Sequence, residues 1–264
     1  MLCSFRGLKL HYSDSGRGKA IVLIHGFLET GKVWEKFAES LSAHFRVIII
    51  DLPGHGQSGP AGEINTMETF AEAVKGLLDV LGVGKAFIAG HSMGGYATLA
   101  FVQLYPEYLS GYSLFHSHPY ADTPEAIEKR RQNIIIIEEG KKEMMIPDFV
   151  RGLYAQINLE KSSEAVERSV IIASATAENT IIADLKGMMA RPSRAEIISK
   201  SKVPFLWILG TMDSHINHEM IMQNIRLPQN SRVEILENSG HMGFIEEQEL
   251  TVSVIRDFAD DLPY

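Results

Sequence analysis

The sequence predicts an α/β fold, a mostly parallel sheet with helices on both faces, interrupted by an all-helical insertion. Three observations predict it. Short strand-like runs at residues 20–24, 46–50, 86–89 and 111–115 alternate with longer stretches of helical periodicity. The clearest of these runs are apolar throughout, as strands buried on both faces of a parallel sheet must be. From residue 120 to 198 the pattern is helical with no convincing strand, and the α/β rhythm then resumes at 203–209.

Residues 8–13 alternate in polarity and end in Asp14-Ser15-Gly16, a turn signal. The apolar run 20–24 stops at His25-Gly26. Trp34, Phe37, Ala38 and Leu41 recur at helical spacing, and the strand at 46–50 closes on Asp51-Leu52-Pro53-Gly54. A helix is predicted over 66–81, with Phe70, Val74, Leu77, Leu78 and Leu81 on one side and Thr66 as its N-cap. Residues 92–105 read as helix and stop before Pro106. Within the insertion Ile134 to Ile137 also suit a strand, but their charged flanks favour helix. After the strand at 203–209 come a helix near 216–225, a strand at 232–236 and a last helix near 248–258. The expected organisation is a core of residues 1–119 and 199–264, with a helical unit of residues 120–198.

The chain has 264 residues, suited to one large α/β domain, and 45% of them are hydrophobic. With 25 basic and 33 acidic side chains its formal charge is −8, so it lacks the electrostatic footprint of a nucleic-acid binder and is not expected to seek anionic membranes. Apolar runs stop near five residues, far short of the ~20 that span a bilayer. Residues 1–5 show no basic region followed by an apolar stretch, so no secretion signal is expected. The single cysteine, Cys3, cannot form an intramolecular disulfide, which fits a reducing, cytoplasmic setting.

Gly90-His91-Ser92-Met93-Gly94 fits G-x-S-x-G between a predicted strand and a predicted helix. A serine on so sharp a turn is lifted to the carboxyl edge of the sheet, where open α/β sheets bind ligands. Its hydroxyl needs a base, and His241 follows the last predicted strand on a loop at the same edge. The histidine needs an orienting carboxylate, and Asp213 follows the 203–209 strand through Gly210-Thr211-Met212. The order Ser92, Asp213, His241 is characteristic of one fold among those that use this triad. An oxyanion needs donors. The backbone amide of Phe27, in His25-Gly26-Phe27, and that of Met93 are placed to supply them.

These motifs resemble the α/β-hydrolase superfamily. The resemblance rests on His25-Gly26-Phe27, on residues 51–59, on Gly90-His91-Ser92-Met93-Gly94-Gly95, on Leu209-Gly210-Thr211-Met212-Asp213 and on Ser239-Gly240-His241. It covers nearly the whole chain and looks closest to the esterase, lactonase and carbon–carbon hydrolase branches. The resemblance implies an eight-stranded sheet, a helical cap between the sixth and seventh strands, and no metal or organic cofactor. Aspartate, the nucleophile in some members, is replaced here by serine, which lowers the weight of dehalogenase and epoxide hydrolase readings. The resemblance also implies a variation with the acid at the end of the sixth strand; Asp122 lies somewhat beyond that strand and is the reserve acid only on that ground.

The expected function is a serine hydrolase cleaving a carboxylic ester or related acyl bond of a small, partly apolar substrate. Carbon–carbon hydrolase, peptidase, lyase, cofactor-free oxygenase and ligand-binding receptor are the alternatives. His118, Met144 and Met145 are candidate pocket residues. His116 and His118, with His55, His215 and His218, invite a metal site, but no metal-ligand spacing is present, and pocket lining or solvated loops is the expected role. Asp51 and His55 are expected to fix a loop. The oligomeric state is not legible.

Overall fold

The computed structural model describes residues 1–60 and 62–263. Its eight strands form one sheet: β1 (Leu2–Phe5), β2 (Leu8–Ser15), β3 (Ala20–Ile24), β4 (Arg46–Ile50), β5 (Ala86–His91), β6 (Leu109–Phe115), β7 (Phe205–Gly210) and β8 (Ser231–Leu236). Their spatial order is β1-β2-β4-β3-β5-β6-β7-β8. β1 and β2 are antiparallel, and β2 is antiparallel to β4; every other pairing is parallel. β3, β5, β6 and β7 are buried along their whole length, which is why their sequences carry no polar face. The edge strands β1 and β8 are only partly covered.

Helices α1 (Glu35–Leu41), α2 (Met67–Val80) and α3 (Met93–Leu104) fall between the first six strands. Thr66 caps α2 as its position predicts, its hydroxyl accepting from the Thr69 amide at 3.1 Å. The predicted helix around Trp34 is a 3₁₀ turn, Gly31–Trp34, running into α1. Trp34 and Phe37 then meet Phe115 and Phe244 in a fully buried aromatic cluster, with the Trp34 and Phe244 rings 4.1 Å apart. Burying each such side chain contributes about 2–3 kcal/mol.

Between β6 and β7 the described chain is wholly helical: α4 (Pro124–Glu138), α5 (Lys142–Arg151), α6 (Ser163–Ser174), α7 (Glu178–Ala190) and α8 (Ala195–Lys200), with a short 3₁₀ turn before α6. Ile134 to Ile137 lie in α4, whose N-terminus Thr123 caps with Pro124 in the first turn. β7 is followed by α9 (His218–Gln223), and β8 by α10 (Gly243–Glu246) and α11 (Gln248–Asp260). Sequence reading misses β1 and α10. Both are short, and β1 alternates only over four half-exposed residues. Among the described residues no helix is long and apolar enough to cross a membrane.

Candidate active site

The motif around Ser92 folds as a turn between β5 and α3. Ser92 has φ 49° and ψ −113°, in the left-handed half of backbone space that side chains with a Cβ rarely adopt. The turn closes only because its neighbours are glycines. A Cβ on Gly90 would stand 2.2 Å from the Gly94 carbonyl oxygen, and one on Gly94 would stand 2.5 Å from that of Ile24 and 2.6 Å from that of His25. The second contact seats the first turn of α3 against the end of β3, so the amides of Met93 and Phe27 stand on adjoining segments. Met93 opens α3, where backbone N–H groups have no partner within the helix. Backbone strain of this kind costs about 1–3 kcal/mol. Ser92→Gly is therefore expected to stabilise the protein by about 1 kcal/mol, after glycine's entropy cost is set against the relieved strain. Denaturant unfolding of the variant checks this.

Asp213 follows β7 on a loop, and its side chain is fully buried. Its Oδ2 lies 2.7 Å from Nδ1 of His241 and 3.3 Å from Nδ1 of His116. Its Oδ1 accepts from the amides of His215 (2.8 Å) and Ile216 (3.0 Å). Burial alone would raise this carboxyl, but the His241 charge and these donors outweigh it and hold Asp213 far below the usual carboxylate range. Asp122, the reserve acid, is instead paired with Arg130 at 2.7 Å and Arg191 at 2.8 Å.

His116 departs from expectation, being neither pocket lining nor solvated. It is fully buried, and its Nε2 accepts from the Gly243 amide at 3.2 Å, which leaves the ring proton on Nδ1 to be donated to Asp213. Burial, opposed by Asp213, pushes its pKa down to about 4, so the ring is neutral. His116, Asp213 and His241 form the one described cluster whose donor atoms, within 4.8 Å of one another, have the spacing of a metal site. Both Nδ1 atoms are turned onto the same carboxylate oxygen, the geometry of a hydrogen-bond hub.

The His241 loop is tied down on each side. Its own amide donates to the Leu153 carbonyl at 2.7 Å. The amides of Gly240 (2.9 Å) and Met242 (3.2 Å) donate to Oε2 of Glu246, whose Oε1 accepts from the Ala155 amide (2.8 Å) and Asn158 Nδ2 (2.9 Å). Glu246 looks like one more surface acid in the sequence, and only its burial reveals this role. Burial would lower the pKa of His241, but Asp213 beside it raises the value above that of an ordinary histidine.

Ser92 and His241 open into one cavity of ≈ 760 Å³ beneath the helical segment. Phe27, His118, Met144 and Met145 line it, as does Met188; Met144 sits at its exposed rim. Met93 is buried below it. Sequence reading misses Glu29, Tyr96, Lys129, Arg130 and Phe149, which also line the cavity, whereas His215 lines it as one of its two expected roles. His118 Nδ1 accepts from the Tyr120 amide, so its Nε2 proton faces the Tyr96 hydroxyl at 3.2 Å. Burial, then the charge of Arg191, drives the His118 pKa down to about 3, making it a neutral polar wall. Asp51 and His55 have loop-holding contacts. Asp51 accepts from the amides of Gly31 and Gln57, and His55 pairs with the buried Asp184 of α7 at 2.9 Å.

Residues 19–135 match a family described as the alpha/beta hydrolase fold. The chain is similar to a 2-hydroxy-6-oxononadienedioate/2-hydroxy-6-oxononatrienedioate hydrolase of Paraburkholderia phymatum, 27% identical over 95% of this chain and 91% of that one. It is also similar to an (E)-2-((N-methylformamido)methylene)succinate hydrolase of Acinetobacter baylyi, 27% identical over 88% and 87%. Among solved structures, a malate-bound thermophilic esterase of Thermogutta terrifontis superposes with a TM-score of 0.89 at 27% identity, covering 97% of this chain and 95% of the other. An enol-lactonase of Burkholderia xenovorans shares the fold, with a TM-score of 0.87 at 22% identity over 99% and 100%.

Proposed function

We propose, from the premise that this chain belongs to the α/β-hydrolase superfamily and is a hydrolase, that Ser92 cleaves a carboxylic ester or related acyl bond through an acyl-enzyme. The observation that carries this reading is the 2.7 Å bond from His241 to a buried Asp213, with His241 opening onto the same cavity as a serine held at φ 49°. Nδ1 of His241 is committed to Asp213, so Nε2 is the nitrogen that takes the Ser92 proton as Oγ bonds to the substrate carbonyl carbon. The tetrahedral oxyanion accepts from the amides of Phe27 and Met93. The bond to the leaving group breaks as His241 returns the proton to it. A water then gives its proton to His241 and its oxygen to the acyl carbon, and Ser92 departs reprotonated. Asp213 holds the tautomer and stabilises the imidazolium; the sequence of steps calls on no metal or organic cofactor.

Residues 120–198 act as a cap that shapes the pocket. Its methionines and Phe149 suit an apolar acyl or alkyl part of a small substrate. The lone Cys3 fits a cytoplasmic setting. A second reading, hydrolysis of a dienoic diacid of the kind named for the Paraburkholderia relative, is favoured by the cation Lys129 on the cavity wall. A fluorophosphonate tests the first reading. It is expected to add one mass increment to Ser92 and to abolish turnover of p-nitrophenyl esters. An unlabelled Ser92 in a protein that still turns over esters would sink the reading. Comparing those esters with a dienoic diacid decides between the two substrates.

A base must be unprotonated to act, so activity is present above the pKa of His241 and lost as pH falls through it. Because Asp213 raises that value, the acid limb of kcat/KM is expected above the ordinary histidine value of about 6.5. A pH–rate profile on one ester checks it.

A further inference from the structure

We propose that Glu29 and His91 form a buried hydrogen-bonded pair that holds three loops in register: the turn carrying Phe27, the elbow carrying Ser92 and the loop carrying His241. The inference rests on the reading that Ser92 and His241 react. Glu29 is 4% exposed and His91 1% exposed. Oε2 of Glu29 accepts from the Gly26 amide at 2.5 Å and lies 3.0 Å from Nδ1 of His91. Nε2 of His91 lies 2.8 Å from the main-chain oxygen of His241. One carboxylate and one ring therefore bridge segments that are 62 and 150 residues apart in the chain.

The contacts fix where one ring proton is. A carbonyl oxygen has none to give, so Nε2 of His91 carries one. Burial would raise the Glu29 carboxyl, but His91 and the Gly26 amide outweigh it and keep Glu29 below the usual range, as a carboxylate. Nδ1 of His91 faces that carboxylate, so the ring spans from the Glu29 side chain to the His241 backbone. The other groups around it are the rings of Trp34, Phe244, His241 and the neutral His116, with centroids 4.9–6.3 Å away. None of them supplies a fixed negative charge, so Glu29 is the carboxylate that the ring faces. Taking a carboxylate out of water costs more than a single such contact commonly returns, so the pair is weakly explained by stability alone. Placement explains it better, because the pair reaches the backbone beside each proposed reacting group. Gly26 completes the joint, since a Cβ there would stand 2.9 Å from both Glu29 Oε2 and His91 Nδ1.

Glu29 and His91 are positioning residues, and the test reads the ring directly. In full-length protein labelled with ¹⁵N-histidine, one ring proton on Nε2 is expected to be observed and protected from exchange with water, as burial and the bond to the His241 carbonyl require. That signal is absent from His91→Gln, which assigns it, and is altered in Glu29→Gln. Glu29→Gln is expected to lower kcat on a substrate of this enzyme by on the order of 10²-fold, the scale of a misplacement near 1 Å, with KM little changed. Glu29→Asp, which keeps the charge, recovers part of the loss. A His91 ring proton that exchanges freely with water, or wild-type kcat in Glu29→Gln, overturns the proposal. If Glu29→Gln does not fold, the ring spectrum of the unaltered protein and kcat of Glu29→Asp still decide. Turnover surviving in Ser92→Ala would instead remove the nucleophile reading, and the ring spectrum separates that failure from this one.

Discussion

Ser92→Ala is expected to lower turnover of any accepted ester by on the order of a million-fold, the scale that loss of the nucleophile costs a serine protease. Without Oγ no acyl-enzyme can form, and the acyl group must pass straight to water. What remains is the help given by the oxyanion donors and by binding, about 10³–10⁴-fold over the uncatalysed reaction. The fold should be indifferent to the change. Alanine keeps the Cβ, so the strain at φ 49° is retained, and no hydrogen bond within the core is removed. Unfolding free energy is therefore expected within about 0.5 kcal/mol of the unaltered protein. Burst kinetics with a p-nitrophenyl ester read the first expectation and denaturant unfolding the second. A variant that folds normally and keeps its turnover would assign the chemistry to another group.

Asp213→Asn is expected to cost on the order of 10⁴-fold in kcat. An asparagine can keep its oxygen on the amides of His215 and Ile216, but then its NH₂ faces the two imidazoles that Oδ2 now receives. His241 must turn its ring or move its proton to Nε2, the nitrogen that the proposed mechanism needs empty. His116 cannot yield easily, because a proton on its Nε2 would confront the Gly243 amide. The lost negative charge also lets burial lower the His241 pKa, so the small residual activity should have an acid limb shifted downward. A pH profile of the variant checks both parts. Asp122→Asn, at a carboxylate already bound to two arginines, should leave that limb in place.

The central strands were legible because each is buried on both faces, and such burial admits little but apolar residues. The elbow was legible because its geometry demands glycines at fixed offsets. Chain order and strand-end placement pointed to Asp213, and in the structure Asp213 rather than Asp122 meets His241. Other parts of the site leave no such trace. Glu29, Glu246 and His116 are buried polar groups whose partners lie 62 to 97 residues away, and nothing local distinguishes them from surface acids or a loop histidine. The cavity wall is equally silent. It takes single residues from several helices, and the way those helices lie across the sheet edge is set by packing that no local periodicity encodes.

One consequence follows from how Glu246 is bound. Its two oxygens grip the backbone on either side of the proposed base and the stretch 155–158, which directly follows the cavity-lining Gly152 and Leu153 of the pocket's roof. Roof and base are thus bolted to a single carboxylate. Remodelling the roof near Leu153 or Ala155 to admit a different substrate would drag on the imidazole as well, so changes of selectivity there and changes of rate should arrive together.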